Sequence, residues 1–194
     1  KQMHADPNSR KEFLREAKAT VAQLKNHPCI CYWTIFNEGW GQFDSDNVYH
    51  YLRDLDDTRF IDSTSGWFRR KKTDVDSRHV YFKPIKLKET DKPLVLSEFG
   101  GYSYKPEGHV FNVEKTYGYR LFSEQSAYMD AVEQLYRDEI VPAVSKGLCG
   151  AVYTQLSDVE DETNGLLSYD RKVLKVDRER MLKIAKSIDE KINN

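Results

Sequence analysis

The stretch NHPCICYWTIFNEGWG, residues 26–41, decides the fold class of this chain. Its apolar run Cys29–Phe36 is short and rich in isoleucine, tyrosine and tryptophan, which predicts a strand buried on both faces, as in a parallel sheet. The run stops at an amide and a carboxylate, Asn37 and Glu38, and a loop of glycine and tryptophan follows. Such a strand would hold the carboxylate rigidly at the rim of a pocket.

Strand and helix patterns alternate along the rest of the chain. Further strands are predicted at residues 59–67, 79–82, 93–101 and 149–158, and helices at 9–26, 45–56, 123–145 and from Asp177 onward. This alternation indicates βαβ units and a parallel sheet, either an open doubly wound sheet or a closed (β/α)8 TIM barrel. No glycine-rich phosphate loop follows a strand, which weakens the nucleotide-binding version of the open sheet. The sequence therefore predicts an α/β fold in one domain over residues 1–194.

The composition of the chain argues against several classes of partner. A net charge of −1 over 194 residues is not the basic surplus that nucleic-acid or membrane-surface binding needs, and the basic run at residues 69–72 is interpreted as a solvated loop. No apolar run is long enough to span a bilayer. Cys29, Cys31 and Cys149 are predicted to be buried free thiols, which favours a reducing, cytoplasmic location. No metal or other cofactor is predicted.

A second glutamate follows the same pattern as the first. In PLVLSEFGG, residues 93–101, an apolar run leads to Glu98 and then to an aromatic residue and two glycines. Because the carboxyl ends of parallel barrel strands share one face, Glu38 and Glu98 are expected to face one cavity. Two carboxyl groups there suit a general acid and a nucleophile that act on an acetal carbon. The alternative is a pair of surface glutamates at the starts of loops.

Two motifs resemble the catalytic signatures of glycoside hydrolase family 2, which contains β-galactosidases, β-glucuronidases and β-mannosidases. They are NHP-x-I-x-x-W-x-x-x-NE, residues 26–38, and PLVLSEFG, residues 93–100. The resemblance extends over essentially the whole chain, including the closing GLLSYDRKVLKVD, residues 165–177. It implies a TIM barrel in which Glu38 is the general acid/base after the fourth strand. Glu98 would be the nucleophile after the seventh.

The resemblance also implies roles for three neighbours of the glutamates. Asn37 would hydrogen-bond the 2-hydroxyl of the sugar, a contact that strengthens in the transition state. In HVYFKP, residues 79–84, Tyr81 would hold the nucleophile by a hydrogen bond and His79 would line the pocket. Core packing is the alternative for both Tyr81 and His79.

Three further aromatic residues are candidates for sugar contacts. Tyr153 falls where members of the family often carry a tryptophan that stacks on the sugar, so it is expected to offer an aromatic face. Trp40 and Trp67 lie in loops after strands and are expected to form leaving-group subsites, with plain packing as the alternative. Trp33 lies in the middle of a strand and is assigned to the core.

One departure from the family pattern bears on the substrate. Related glucuronidases carry Asn-x-Lys before the late glycine, where the lysine reads the sugar carboxylate. This chain has Glu162-Thr163-Asn164 before Gly165. Because an acidic residue would repel a carboxylate, the sequence predicts a β-galactoside-type substrate rather than a glucuronide.

Only the fourth to eighth strands of a barrel can be assigned. The chain is therefore expected to be the carboxyl-terminal part of a longer protein, inactive or nearly so by itself. An exposed edge at Cys29–Phe36 would invite association, so a homo-oligomer is a further expectation. The predicted function is that of a retaining β-glycosidase in carbohydrate metabolism, which acts through a covalent glycosyl-enzyme. The alternative is a non-catalytic carbohydrate-binding or structural fragment of the same fold.

Overall fold

The computed structural model describes residues 6–193, which divide into two compact units. The first unit comprises the residues up to His79 together with Thr90–Val95, and the second comprises Val80–Glu89 and the residues from Leu96 onward. The helices are α1 (Pro7–Leu24), α2 (Ser45–Leu55), α3 (Gln125–Leu135), α4 (Val141–Val144) and α5 (Arg178–Ile192). The strands are β1 (Tyr32–Asn37), β2 (Phe60–Ser65), β3 (Asp76–Val80), β4 (Leu94–Gly100), β5 (Tyr102–Tyr104), β6 (Arg120–Phe122) and β7 (Leu148–Thr154). The prediction of one domain stays a prediction. Within residues 6–193, no helix has the length and apolarity needed to cross a membrane.

Helix α1 of the first unit begins one turn earlier than the sequence pattern indicates. Its N-cap is Asp6, whose carboxylate accepts a hydrogen bond from the Ser9 backbone N–H at 2.8 Å. Pro7 occupies the first helical position, where its missing N–H costs no hydrogen bond and its fixed φ favours the helix. The predicted helix start at Ser9 is therefore wrong.

The core of the first unit forms around the parallel pair β1–β2. Tyr32 lies opposite Phe60, and Asn37 lies opposite Ser65, so both strands end at the same level. Side chains from α1, β1, α2 and β2 and from the loop after β1 make up the core, namely Val21, Trp33, Phe36, Phe43, Val48, Leu52 and Ile61. The assignment of Trp33 to the core is confirmed.

Strand β1 differs from its prediction in extent and in burial. It begins at Tyr32 rather than at Cys29, because a turn fills the segment after Pro28. Its burial is uneven, with Thr34 and Asn37 exposed, so the expectation of two buried faces is wrong. Cys29 and Cys31 lie in the segment before the strand and are exposed, and Cys149 is exposed on β7. The expectation of buried thiols is therefore wrong for all three cysteines.

The second unit contains the end of β4 beside β7 and a short parallel pair, β5–β6. This short pair lies in a segment that the sequence pattern presents only as a loop rich in glycine and tyrosine. The predicted helix over residues 123–145 consists of α3, a π-helical turn (Tyr136–Ile140) and α4. The π-helical turn ends two residues before Pro142. In a regular α-helix the ring of a proline would clash with the carbonyl group four residues earlier, and the wider turn relieves that clash.

Helix α5 begins as the sequence predicts. The Asp177 side chain accepts a hydrogen bond from the Arg180 N–H at 2.8 Å, so its assignment as the N-cap is confirmed. Ile184 on this helix is buried, whereas Ala185 is exposed. The cluster that α5 joins contains Tyr128, Met129, Val132, Val176 and Ile184.

A buried ion pair fixes the polar loop between β7 and α5 in the second unit. Lys175 Nζ donates to Asp158 Oδ1 at 2.5 Å and to the carbonyls of Tyr104 and Thr163 at 2.8 and 3.0 Å. Neither side chain of the pair is exposed to solvent. Burial lowers the pKa of Lys175 and raises the pKa of Asp158, and their mutual hydrogen bond opposes both shifts. Asp158 therefore has a structural role in this loop rather than a place in solvent.

Candidate active site

The first candidate carboxylate, Glu38, directly follows β1 in a left-handed conformation with φ of 53°. Its backbone N–H donates to the Ser65 carbonyl at 2.9 Å, which continues the β1–β2 pairing by one residue. Ser65 Oγ donates to Asn37 Oδ1 at 2.8 Å, so the Asn37 amide is oriented by the neighbouring strand. A non-glycine residue with positive φ is uncommon and often marks a functional position, which makes Glu38 a candidate on backbone grounds as well.

Glu38 has a buried imidazole partner in its own unit. His79 Nδ1 lies 2.8 Å from Glu38 Oε1, and the His79 side chain is not exposed to solvent, while that of Glu38 is 16% exposed. An ionised carboxylate only accepts hydrogen bonds, so Nδ1 carries the proton whenever Glu38 is ionised. The predicted pocket position of His79 thus becomes a direct contact with the first carboxylate.

Gly66 makes room for this imidazole. It has a φ of +83°, and a Cβ atom there would lie 2.5 Å from His79 Nδ1. Any larger residue would displace the ring from Glu38. Trp67, the next residue, donates from Nε1 to the His79 carbonyl at 3.3 Å, so its indole fastens the strand that carries the histidine.

A pocket of about 260 Å³ opens beside Glu38 within the first unit. Trp40, 62% exposed, forms part of its lining, and Phe68 faces the same space. Trp67 is 51% exposed and does not line this pocket. Of the two tryptophans predicted to form leaving-group subsites, Trp40 lines this pocket and Trp67 does not. Phe68 is not among the residues predicted from the sequence, because a lone phenylalanine in a loop carries no motif.

The second candidate carboxylate, Glu98, lies near the end of β4 and is held by a tyrosine. Tyr81 Oη donates to Glu98 Oε2 at 2.5 Å and lies 2.8 Å from Thr154 Oγ1. Burial, followed by the Glu98 hydrogen bond, raises the pKa of the Tyr81 phenol well above its usual value, so the phenol stays a donor. The ring of Tyr81 stacks on Tyr119 with centroids 3.8 Å apart, which fixes its direction.

Tyr153 packs against other aromatic rings of the second unit. Its ring packs edge-on against Phe99 at 5.5 Å and lies parallel to Tyr136 at 6.3 Å, within the core of the second unit. Burial raises the pKa of its phenol well above the usual value. Gly100 completes the enclosure, since a Cβ atom there would lie 2.3 Å from the Tyr153 ring. The ring is partly buried, and its predicted contact with the sugar stays a prediction. The next residue, Thr154, reaches the Tyr81–Glu98 pair.

The segment before Gly165 is organised by amide contacts. Gln155 Nε2 donates to Glu162 Oε2 at 3.0 Å and to Asn164 Oδ1 at 2.8 Å. Asn164 is buried, so its amide does not extend into solvent. The Glu162 carboxylate is thus held in place by Gln155. Its predicted effect on substrate choice stays a prediction.

A buried carboxyl group, that of Asp62, lies on β2 in the first unit. Its burial was not predicted from the sequence. It is 1% exposed, and neither of its oxygens meets hydrogen-bond geometry with any described residue. Burial raises its pKa to about 6, although the nearby Ser77 hydroxyl, the Thr64 N–H and His79 pull in the opposite direction. Alternation along β2 gave no signal for it, because an Asp in a short strand reads as the approach to a turn.

Comparisons with known proteins point to one family. The family model described as "Glycosyl hydrolases family 2, TIM barrel domain" matches residues 1–186. A β-galactosidase of Priestia megaterium (strain DSM 319 / IMG 1521) is 27% identical over 101 residues, which are 48% of this chain and 10% of that protein. A crystal structure of Parabacteroides merdae β-glucuronidase with glycerol in its active site is similar at a TM-score of 0.57 and 17% identity, over 84% of this chain and 25% of that one. A second structure of that enzyme is similar at a TM-score of 0.55 and 18% identity, over 86% of this chain and 26% of that one.

These matches settle the fold class and leave the substrate open. The chain spans about a tenth of the curated relative and about a quarter of each solved structure. At such identities the structural likeness shows the fold alone. The predicted fold, part of a TIM barrel with parallel strands, is confirmed at the level of the family model and its structural neighbours.

Proposed function

Because the chain belongs to glycosyl hydrolase family 2, we propose that it carries the two catalytic carboxyl groups of a retaining β-glycosidase. The observation that carries the proposal is the hydrogen bond from Tyr81 to Glu98. A phenol that cannot ionise near neutral pH keeps one oxygen of Glu98 occupied and so orients the other. A carboxylate held in this way suits nucleophilic attack, which depends on geometry to within fractions of an ångström.

The proposed reaction proceeds in two displacements. Glu38, in its protonated form, donates a proton to the glycosidic oxygen while Glu98 attacks the anomeric carbon, and the leaving group departs as an alcohol. The sugar is then esterified to Glu98. Glu38, now ionised, removes a proton from water, the water oxygen attacks the anomeric carbon, and Glu98 is released. The sugar product therefore has the same anomeric configuration as the substrate.

His79 supports the change of role that this cycle asks of Glu38. When Glu38 is ionised, the Nδ1–H of His79 donates to it at 2.8 Å and stabilises the charged form. Because the imidazole side chain is fully buried, it has little freedom to leave Glu38 during the two steps. Asn37 is the proposed partner of the sugar 2-hydroxyl. Its Oδ1 already accepts from Ser65, which leaves its NH2 group as the donor for the sugar.

The nucleophile is tested by trapping. The full-length protein that contains this chain is incubated with a 2-fluoro β-glycoside, which forms a stable ester, and the labelled peptide is sequenced. The expected label is on Glu98, and Glu98→Gln should take no label. A label on another residue with Glu98 unmodified would show that the assignment is wrong.

The acid/base is tested by leaving groups. Glu38→Ala should slow poor leaving groups, such as methyl glycosides, far more than dinitrophenyl glycosides, because an activated leaving group needs little protonation. Added azide should restore the rate with the variant and give a β-glycosyl azide. Equal slowing of both substrates without azide rescue would remove Glu38 from this role.

The proposed sugar is of the β-galactoside type. The support is Asn164, which stands where related glucuronidases carry the lysine that reads the sugar carboxylate, together with the acidic Glu162 two residues earlier, which Gln155 holds in place. A fixed negative charge near a sugar carboxylate disfavours its binding. The test compares the kcat/KM of nitrophenyl galactoside with that of nitrophenyl glucuronide. Faster hydrolysis of the glucuronide would contradict the proposal.

A further inference from the structure

The pocket beside Glu38 has walls that the proposed hydrolysis of a sugar does not by itself require. Its lining consists of Glu38, Gly39, Trp40, Gln42, Phe68 and Arg70, all in the first unit. A cavity of about 150 Å³ accommodates benzene, so about 260 Å³ is enough for one substituted aromatic ring. Two of its walls are aromatic rings, which favours a flat apolar occupant.

The two aromatic walls are held in position by specific contacts. Gly39 has a φ of +83°, and a Cβ atom there would lie 2.5 Å from the Phe68 ring, so the close approach of this ring requires glycine. Gln42 Nε2 donates to the Phe68 carbonyl at 3.1 Å and fastens the loop that carries the ring. The Trp40 N–H donates to the Asn37 carbonyl at 3.0 Å, which ties the other wall to the end of β1. The pocket is therefore a built feature of this unit.

The pocket also contains the guanidinium of Arg70, for which residues 6–193 offer no carboxylate partner. The Arg70 backbone is fixed by a hydrogen bond from its N–H to Thr64 Oγ1 at 2.9 Å. Across residues 6–193, no carboxylate lies within ion-pair distance of its guanidinium, whereas the adjacent Arg69 is paired with Asp76 at 2.5 Å. An arginine that is unpaired at the wall of an aromatic pocket suits a ligand with an anionic group, because its planar fork matches a carboxylate.

We propose that this pocket is the leaving-group subsite and that it takes an aromatic aglycone with an acidic substituent. The inference rests on the proposed function, in which Glu38 protonates the glycosidic oxygen. The aglycone is bonded to that oxygen, so it must lie on the Glu38 side of the bond, where this pocket opens. Trp40 and Phe68 contact the faces of the ring, and Arg70 pairs with its carboxylate.

The test uses two substrates with the same sugar, a 4-carboxyphenyl β-glycoside and its methyl ester. Their intrinsic reactivities differ, but this difference cancels when the ratio of their kcat/KM values is compared between variants. Arg70→Gln is expected to lower the ratio of acid to ester about two- to fivefold, the size of an exposed ion pair. Lys72→Gln, which removes the same charge from the same basic run outside the pocket, is the matched control and should leave the ratio unchanged. An unchanged ratio in Arg70→Gln would overturn the acidic aglycone.

The aromatic walls are tested in the same way with a neutral pair. Trp40→Ala is expected to lower the kcat/KM of the phenyl glycoside relative to the methyl glycoside about two- to tenfold, because aromatic stacking is lost. An equal effect of the substitution on both substrates would show that Trp40 does not contact the aglycone.

Failure of the pocket and failure of the proposed function give different results. If the protein hydrolyses β-glycosides and the two ratios do not change, the pocket is refuted while the function stands. If it hydrolyses none, the function is refuted, and binding of free 4-hydroxybenzoate, followed by saturation-transfer NMR, decides the pocket. Binding that weakens in Arg70→Gln and not in Lys72→Gln supports the pocket, and binding equal in both variants refutes it.

Discussion

Replacement of the buried Asp62 by asparagine should stabilise the first unit at high pH and have a much smaller effect at low pH. Asp62 is 1% exposed, and burial raises its pKa from 3.8 to about 6. Asparagine has nearly the same shape and cannot ionise. The substitution therefore removes the cost of a buried charge while the packing of β2 is preserved.

The magnitude follows from the shift in pKa. The folded-state pKa lies above the unfolded value, so the folded state binds the proton more tightly and the ionised group destabilises the fold. The shift is about two units (6 − 3.8 ≈ 2), or about 3 kcal/mol at 1.36 kcal/mol per unit. This cost is fully present above pH 6, shrinks as the pH falls through the folded pKa, and disappears below the unfolded pKa near 3.8. At pH 4.5 about 1 kcal/mol of it remains.

The assay is urea denaturation followed by tryptophan fluorescence. All three tryptophans of this chain, at positions 33, 40 and 67, lie in the first unit, so within the chain their signal reports the unit that contains Asp62. The stability of Asp62→Asn minus that of the wild type should be about 2 kcal/mol larger at pH 8 than at pH 4.5. Any cost of burying the asparagine amide is the same at both pH values and cancels. Asp54→Asn, an exposed carboxylate on α2, is the control and should show no such difference. A difference for Asp62→Asn that does not change with pH would refute the reasoning.

The remaining predictions concern the second unit. Tyr81→Phe removes a hydrogen bond to a carboxylate worth about 1.5–3 kcal/mol, so kcat/KM should fall about 10- to 150-fold, without loss of the circular dichroism signal of the fold. Thr154→Val loses only the contact with the Tyr81 hydroxyl, which predicts a fall of about two- to tenfold; a larger effect than that of Tyr81→Phe would contradict the order of contacts around Glu98. Lys175→Met leaves the buried Asp158 without its cation and should destabilise the unit by about 3–5 kcal/mol in calorimetry, and a second change, Asp158→Asn, should recover part of that loss.

The residues predicted best were those whose position follows from chain direction alone. Glu38 directly follows a parallel strand, and Glu98 lies two residues before the end of another. An apolar run of that length must enter the core, so the polar residue that follows the run lies at or near the end of the strand. Their partners, His79 and Tyr81, lie in the segment that the family resemblance picked out. Local patterns of this kind do not depend on how distant parts of the chain pack.

Packing decides what a sequence pattern leaves open around the two glutamates. Tyr153 and Thr154 are adjacent on β7 and so point to opposite faces of the sheet, and only the neighbouring core determines which face meets Glu98. Tyr153 packs against Phe99 and Tyr136, and Thr154 lies on the face that contacts Tyr81 beside Glu98. Phe68 lines a pocket only because Gly39 lets its ring approach, and no rule of periodicity links those two positions. The family motifs therefore located the carboxylates and could not locate the walls around them.

One short segment supplies a partner to each of the two glutamates. His79 contacts Glu38 in the first unit, and Tyr81, two residues later, contacts Glu98 in the second. His79 also depends on a glycine, since a Cβ atom at Gly66 would lie 2.5 Å from its Nδ1. The requirement for a small residue at Gly66 thus comes from the imidazole that contacts the first carboxylate, and a motif search confined to the two glutamates would not find it.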